Sequence, residues 1–326
     1  MCSLFPGRAG FARATERCHV YGPMHDDTAT FGTGALFRVK VPASTSNLGA
    51  GFDCLGLALD LWLEARIVEG RGGPEYSGTL AGMDSGSDFL HQAVAGVLPE
   101  HTHLEVHSDI LLSHGLGSSA AARVAGLALA RAVVESPVIQ DEVFEMARKL
   151  EGHPDNAGPA VYGGLVLYAG RPARLRFHTS LGIAIALPEQ SINTEEARAI
   201  LPRQFSMEET VLQASRSAAL VLGLTRGDGD LVRYGMADCI AVPTRKMLIA
   251  GFDDAVQAGE EAGAYGVTIS GAGSGLVAVC DKASTREVAE RMAEALSWKG
   301  NPATPLTPGI AETGLETSRA RALPPH

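Results

Sequence analysis

At 326 residues the chain is long for a single core, so two domains are expected, and 45% apolar with 20% charged residues is an ordinary globular balance. A net charge of −10 excludes nucleic acid as a main partner, because phosphate backbones require a basic face. It does not exclude a small anionic ligand, whose binding is decided by local fields.

Residues 1 to 34 show neither periodicity nor a helix-capping signal. They read as a mobile extension, with Met24 as an alternative start; Glu16, Asp26 and Asp27 argue against a transit peptide. Order begins at Leu36, where Phe37, Val39 and Val41 alternate with Arg38 and Lys40 as in a half-buried strand that Pro42 is expected to end. A polar, glycine-rich turn follows, Ser44 to Asp53, and a second strand runs through Leu61, Leu63, Ala65 and Ile67. Arg71 to Ser87 reads as a loop or hairpin, Phe89 to Val97 as a short helix, and His103 to Leu111 as a strand. An Ala-rich helix follows Gly117, then a helix from Asp141 to Leu150 that Pro154 keeps from continuing. Val161 to Tyr168 reads as one buried strand.

A second unit is expected from Leu181. It has a strand at Gly182 to Leu187 and helices at Glu195 to Ile200, Met207 to Leu222, Leu231 to Ile240 and Met247 to Ala262. Strands at Tyr265 to Ser270 and Leu276 to Cys280 flank a glycine turn, and Thr285 to Leu296 is the last helix. The Pro/Thr-rich segment 301–326 is expected to be a disordered or loosely attached tail. The domains are thus expected at 35–180 and 181–300, and no internal repeat is evident.

Cys2, Cys18, Cys54, Cys239 and Cys280 are odd in number, widely spaced and lack a C-x-x-C pair. That argues against a disulfide framework or a zinc site and fits a reducing, cytoplasmic setting. No apolar run is long enough to span a bilayer, so no membrane partner is expected.

The most informative stretch is Gly115-Leu116-Gly117-Ser118-Ser119-Ala120-Ala121. A glycine turn that opens a helix offers unpaired backbone N–H groups and a positive dipole end, suited to phosphate. The same residues also suit an ordinary Ser-capped helix. The loop is neither a Walker loop, since no G-x-x-x-x-G-K-S/T occurs, nor a dinucleotide fingerprint.

Three further stretches stand with it: Ser46-Asn47-Leu48-Gly49-Ala50-Gly51-Phe52-Asp53, Glu151-Gly152-His153-Pro154-Asp155-Asn156, and Ser270-Gly271-Ala272-Gly273-Ser274-Gly275. Their order and spacing resemble the GHMP kinase superfamily. S-N-L-G-A-G-F-D and E-G-H-P-D-N are similar to signatures of its homoserine kinase family, as are Thr194-x-x-x-Arg198 with Leu201-Pro202, and Pro243-Thr244-Arg245. The chain departs from the pattern at Leu111 and Ser274, where the family usually has proline. Both read as changes in loop stiffness.

The resemblance, over roughly residues 36 to 297, implies an α+β, two-domain GHMP-kinase-like fold. An N-terminal α/β domain resembling a ribosomal-protein domain binds ATP, a ferredoxin-like α+β domain follows, and the site lies between them. It assigns Leu111, Gly115, Leu116, Gly117, Ser118, Ser119, Ala120, Ala121 and Thr194 to ATP, and Ser119 and Glu151 to Mg²⁺. Asn47, Asp53, His153, Arg198 and Arg245 go to the acceptor, L-homoserine. Arginine suits the acceptor's carboxylate because its planar fork matches that geometry. Glu151, His153, Asp155 and Asn156 are the catalytic set, with His153 also considered as a base. The implied reaction is phosphoryl transfer to the homoserine hydroxyl in threonine biosynthesis. The alternatives are another kinase of the superfamily, mevalonate-type or sugar, and a non-catalytic nucleotide-binding protein on the same fold. A homodimer stays open.

Overall fold

The computed structural model describes residues 35–83, 89–94 and 97–319. The extension expected over residues 1–34 lies outside the described residues. The first two strands, β1 (Ala35–Asn47) and β2 (Gly51–Glu69), form a long antiparallel pair. Contrary to the sequence expectation, β1 runs on through Pro42. That proline lies opposite Trp62, and the register shifts at the next step, Ala43, so a bulge accommodates the missing N–H.

Next come β3 (Glu75–Gly78), α1 (Phe89–Val94), β4 (Thr102–Ser108), α2 (Ser118–Val133) and α3 (Gln140–Glu151). The alanines of α2 are largely buried, and such small side chains let the helix lie close on β1. The run from 161 to 168 is not one strand. It is the end of α4 (Ala157–Tyr162), two glycines of positive φ at 163 and 164, and β5 (Leu165–Tyr168). A side chain at Gly163 would meet the backbone of Thr313 at 2.4 Å, so glycine is required there by close approach as well as by φ. β6 (Pro172–Leu175) completes this part of the chain.

The second unit contains β7 (Leu181–Pro188), α5 (Thr194–Ala199), α6 (Met207–Arg226), α7 (Gly229–Met236), α8 (Val242–Arg245), α9 (Phe252–Glu261), β8 (Ala264–Ile269), β9 (Leu276–Asp281), α10 (Thr285–Trp298) and β10 (Ala303–Leu306). The helices expected at 231–240 and 247–262 are shorter than predicted. Asp238 breaks the first by accepting the N–H groups of Ala241 and Val242, which starts α8. Gly251, at φ 82, starts α9. Strands β7 to β10 form an antiparallel sheet in the order β10-β7-β9-β8, which is the ferredoxin-like arrangement. Ile183, Ile185, Val277 and Val279 pack into the core shared with the N-terminal domain. Ala184, Ala186, Leu276 and Ala278 face the opposite way, into a core with α9 and α10.

The tail is not loose where it is described. After β10 pairs with β7, the chain returns to the first domain and ends in β11 (Glu316–Arg319), antiparallel to β1. The larger sheet is therefore β11-β1-β2-β4-β3, with β5 on β2 and β6 on β5. Leu315 is buried and its N–H donates to the Val161 carbonyl at 3.1 Å. Apolar patterning does not reveal such short pairings. Truncating the buried Leu315 to Ala should cost about 2 to 4 kcal/mol in urea unfolding, as for other buried leucines. A change below about 0.5 kcal/mol is the surface result, and it would restore the loosely attached tail.

Candidate active site

The last four residues of β1, Ser44, Thr45, Ser46 and Asn47, are polar and buried. Buried polar groups require partners, and these reach three separate loops. Ser44 Oγ donates to Asn156 Oδ1 (2.9 Å), and Asn156 Nδ2 donates to Ser46 Oγ (3.0 Å). Thr45 Oγ1 pairs with Ser270 Oγ (2.9 Å), which donates to the Gly115 carbonyl (2.7 Å). Asn47 Nδ2 donates to the Gly271 carbonyl and its Oδ1 accepts the Asp53 N–H, both at 2.9 Å. Both ends of the Asn47 and Asn156 amides are thus engaged by the protein. These bonds fix how the two amides, expected as a substrate ligand and a catalytic residue, stand in the cleft wall.

The glycine loop rests on this strand end. The Ser44 N–H donates to the Leu116 carbonyl at 3.0 Å. A side chain at Gly115 would lie 1.9 Å from the Ser270 carbonyl, and one at Gly117 would lie 2.1 Å from Ser44 Oγ; both glycines have positive φ. Gly117 is the N-cap of α2, and no side chain caps the helix. This removes the Ser-capped reading. Ala121 donates to Gly117, but the N–H groups of Ser118, Ser119 and Ala120 have no partner among the described residues. The first turn carries no acid. Ala121 is buried behind the loop and Leu111 is exposed, and neither is among the residues that line the cleft.

Facing the helix end is the C-terminus of α3. Glu151 Oε1 accepts from Ser119 Oγ (2.9 Å) and from Arg123 Nη1 (2.6 Å). Two residues on, His153 Nδ1 pairs with Asp155 Oδ1, and both side chains are buried. Burial alone would lower the histidine pKa, but the hydrogen bond and charge of Asp155 outweigh it and hold the value above the usual one.

The second domain supplies the arginines. Arg198, on α5, makes a two-pronged ion pair with Asp53, at 3.1 and 2.7 Å. That bond holds its pKa above the ordinary value. Arg245, on α8, is 3% exposed; Nε donates to the Ala197 carbonyl (3.0 Å) and Nη1 to the Gly271 carbonyl (3.1 Å). No carboxylate lies within ion-pair distance of it among the described residues. Burial and the charge of Arg198 both push its pKa down. Such a guanidinium is a receptor for an anion.

These groups line one cleft, partly open to solvent, that includes Thr194, Asn47, Gly115 to Ala120, Glu151, His153, Asp155, Asn156, Arg198 and Arg245. Asp53 joins through its pairing with Arg198, and Asp53, His153 and Asp155 each offer a ligand atom within 4.8 Å of the others. Beside Ser118 and Ser119 a second, mostly apolar pocket, open to solvent, is lined by Leu63, Leu80, Met83, Phe89, Leu90 and Leu112, among others. Sequence reasoning missed this pocket, whose walls come from four separate elements. It also missed Arg123 and the Ser44-Thr45-Ser46 run. The signal for the latter was three hydroxyl residues directly after an apolar strand.

The chain is similar to known proteins over most of its length. Residues 88–164 match the GHMP kinases N terminal domain and residues 220–297 the GHMP kinases C terminal domain. A homoserine kinase from Picosynechococcus sp. is 37% identical over 283 residues, which cover 81% of this chain and 92% of that one. The crystal structure of homoserine kinase from Cytophaga hutchinsonii superposes with a TM-score of 0.76 at 26% identity, covering 88% of this chain and 98% of the other. A structure of a putative homoserine kinase from Listeria monocytogenes gives 0.68 at 27% identity, covering 87% and 99%.

The His153–Asp155 pair sets a pH dependence. The folded-state pKa of His153 lies above its unfolded value, about 6.5. The stability from this pair is therefore fully present below that pH and is lost as pH rises through the folded-state pKa. In Asp155→Asn the His153 NMR titration should move to lower pH, and the pH slope of stability assigned to the pair should vanish. An unmoved titration would show that Asp155 does not govern this imidazole.

Proposed function

The chain belongs to the homoserine kinase family of the GHMP kinases, and from that premise we propose that its cleft transfers the γ-phosphoryl group of ATP to the side-chain hydroxyl of L-homoserine. The product is O-phospho-L-homoserine, and the step feeds threonine synthesis. Phosphoryl transfer asks the protein for position and charge stabilisation more than covalent chemistry. The three free N–H groups of Ser118, Ser119 and Ala120 bind phosphate oxygens, and the apolar pocket beside them takes the base. Ser119 and Glu151 fit a divalent ion: their hydroxyl and carboxylate oxygens are 2.9 Å apart and are the hard donors Mg²⁺ prefers. Those two residues would hold Mg²⁺, which supplies charge neutralisation at the phosphates.

The observation that carries the substrate assignment is Arg245, a buried guanidinium with carbonyl partners and no carboxylate of its own. The carboxylate of homoserine supplies that missing charge. Arg198 and Asp53, paired with each other at 2.7 Å, match the two charged ends of an amino acid, Asp53 taking the ammonium. A zwitterion offers a charge both to Asp53 and to the guanidinium groups, whereas a hydroxy acid offers none to Asp53 and a sugar none to either. His153 is fixed through Nδ1 by Asp155, so Nε2 is the atom left to take up the hydroxyl proton. The loose transition state keeps that proton in place until late, so His153 orients the hydroxyl first and acts as a base second.

An ADP-release assay across L-homoserine, mevalonate, galactose and shikimate should show turnover with L-homoserine alone. Arg245→Ala and Arg198→Ala should each lower kcat/KM for L-homoserine by about 10- to 100-fold, the range for a lost hydrogen bond to a charged group. The effect should fall mainly on the amino-acid KM, with the ATP KM little changed. Wild-type amino-acid KM in both variants would remove the carboxylate assignment.

A further inference from the structure

Arg123 plays no part in the reaction as described, yet it is among the most constrained side chains near the cleft. It lies one helical turn after Ser119 on α2, so the two side chains share a face. Its guanidinium stacks 4.4 Å from the centre of the Phe89 ring, and Nη1 donates both to the Leu150 carbonyl (2.9 Å) and to Glu151 Oε1 (2.6 Å). The Leu150 carbonyl belongs to the last turn of α3, where carbonyls lack helical partners and the dipole is negative. A carboxylate at position 151 is unfavourable there, and Arg123 offsets both the dipole and the carboxylate. It shares Oε1 with Ser119, while Oε2 has no partner among the described residues.

The charges around the cleft put this pair in context. Two acids there have a permanent cation beside them, Glu151 with Arg123 and Asp53 with Arg198, and Asp155 is paired with the His153 imidazole. Arg245 is a surplus cation, and the three free N–H groups of α2 add partial positive charge. A bare divalent cation at Glu151 therefore meets a carboxylate whose charge Arg123 already offsets.

We infer that Arg123 is a positioning residue that holds Glu151 by one oxygen and cancels its charge, so that a divalent cation settles at Ser119 and Glu151 only in company with a phosphate-bearing ligand. The inference rests on the assignment of Ser119 and Glu151 as the metal donors. The phosphates supply the negative charge that Arg123 removes, and the cation and nucleotide enter together. Arg123 also fixes which carboxylate oxygen remains open, so its second effect is on the geometry of Glu151.

Mn²⁺ binding to the full-length protein, followed by electron paramagnetic resonance, tests this without turnover. The wild type should bind free Mn²⁺ weakly and gain a tight site when ADP is added. Arg123→Met keeps the apolar stem over Phe89 but removes the charge, and should bind free Mn²⁺ on the order of tenfold more tightly. Arg123→Lys, which keeps the charge, should behave as the wild type; a purely structural role would make the two variants alike. Adding Glu151→Gln to Arg123→Met should abolish the gain. Free-Mn²⁺ affinity in Arg123→Met within about twofold of wild type, well below the loss expected for a full charge, overturns the inference while leaving the metal site standing. An ADP-dependent Mn²⁺ signal that survives Glu151→Gln alone overturns the metal-donor assignment itself.

Discussion

The site depends on one buried polar strand end. Ser44 to Asn47 finish β1 inside the protein, where an unsatisfied hydroxyl or amide costs about 1 to 3 kcal/mol. Their partners come from the glycine loop before α2, the turn between α3 and α4, and the glycine turn between β8 and β9. Satisfying these groups therefore fixes three loops from two domains against one strand. The glycines follow from this constraint, because the loops must lie backbone to backbone: a side chain at Gly115 collides with the Ser270 carbonyl, and one at Gly117 with the Ser44 hydroxyl. The unpaired N–H groups of α2 are then held at the cleft wall by packing, and no lysine is needed to place a phosphate there.

The same economy governs charge. Desolvating an ion is costly unless it is paired, and the three acids of the cleft are each paired, two with arginines and Asp155 with the His153 imidazole. Arg245 is the exception. It is kept in place by two carbonyls, which solvate a guanidinium but do not neutralise it. A cleft with one uncompensated cation and three open N–H groups favours anions at both. A kinase that joins a triphosphate to an amino-acid alcohol needs that distribution.

The two-domain class, the sequence of most elements and the grouping of four loops were legible because each has a local signal. Alternation marks strands, glycine before an Ala-rich run marks a helix entry, and the resemblance of four motifs to the GHMP kinases implies the site. The structure departs where the deciding partner is remote in sequence. Pro42 looks like a strand end until Trp62 and a bulge are set opposite it. Leu111 and Ala121 belong to the motif by position, but one points to solvent and the other into the core. The partners that orient the Asn47 and Asn156 amides, Gly271 for one and Ser44 and Ser46 for the other, lie more than a hundred residues away in sequence. Arg123 carries no site signal, since nothing in α2 announces Glu151 twenty-eight residues later.

The tail shows why a remote pairing matters to the site. β11 adds to the free side of β1 at Phe37 to Lys40, so β1 lies between β2 and β11 over its first half and is not an edge strand. An edge strand slips or frays more readily, and a one-residue slip would reverse every side chain along it. For β1 that would turn Ser44 and Ser46 away from Asn156 and bring Thr45 to their place. The register that aims the polar end of β1 is held at the other end of the strand by the last described residues of the chain. The same segment pairs with β7 through β10 and so fastens to both sheets. The two walls of the cleft are thus tied by the shared apolar core, by the hydrogen bonds of the β1 end and by the returning tail, and a cleft held in this way can keep its donors in place before any ligand arrives.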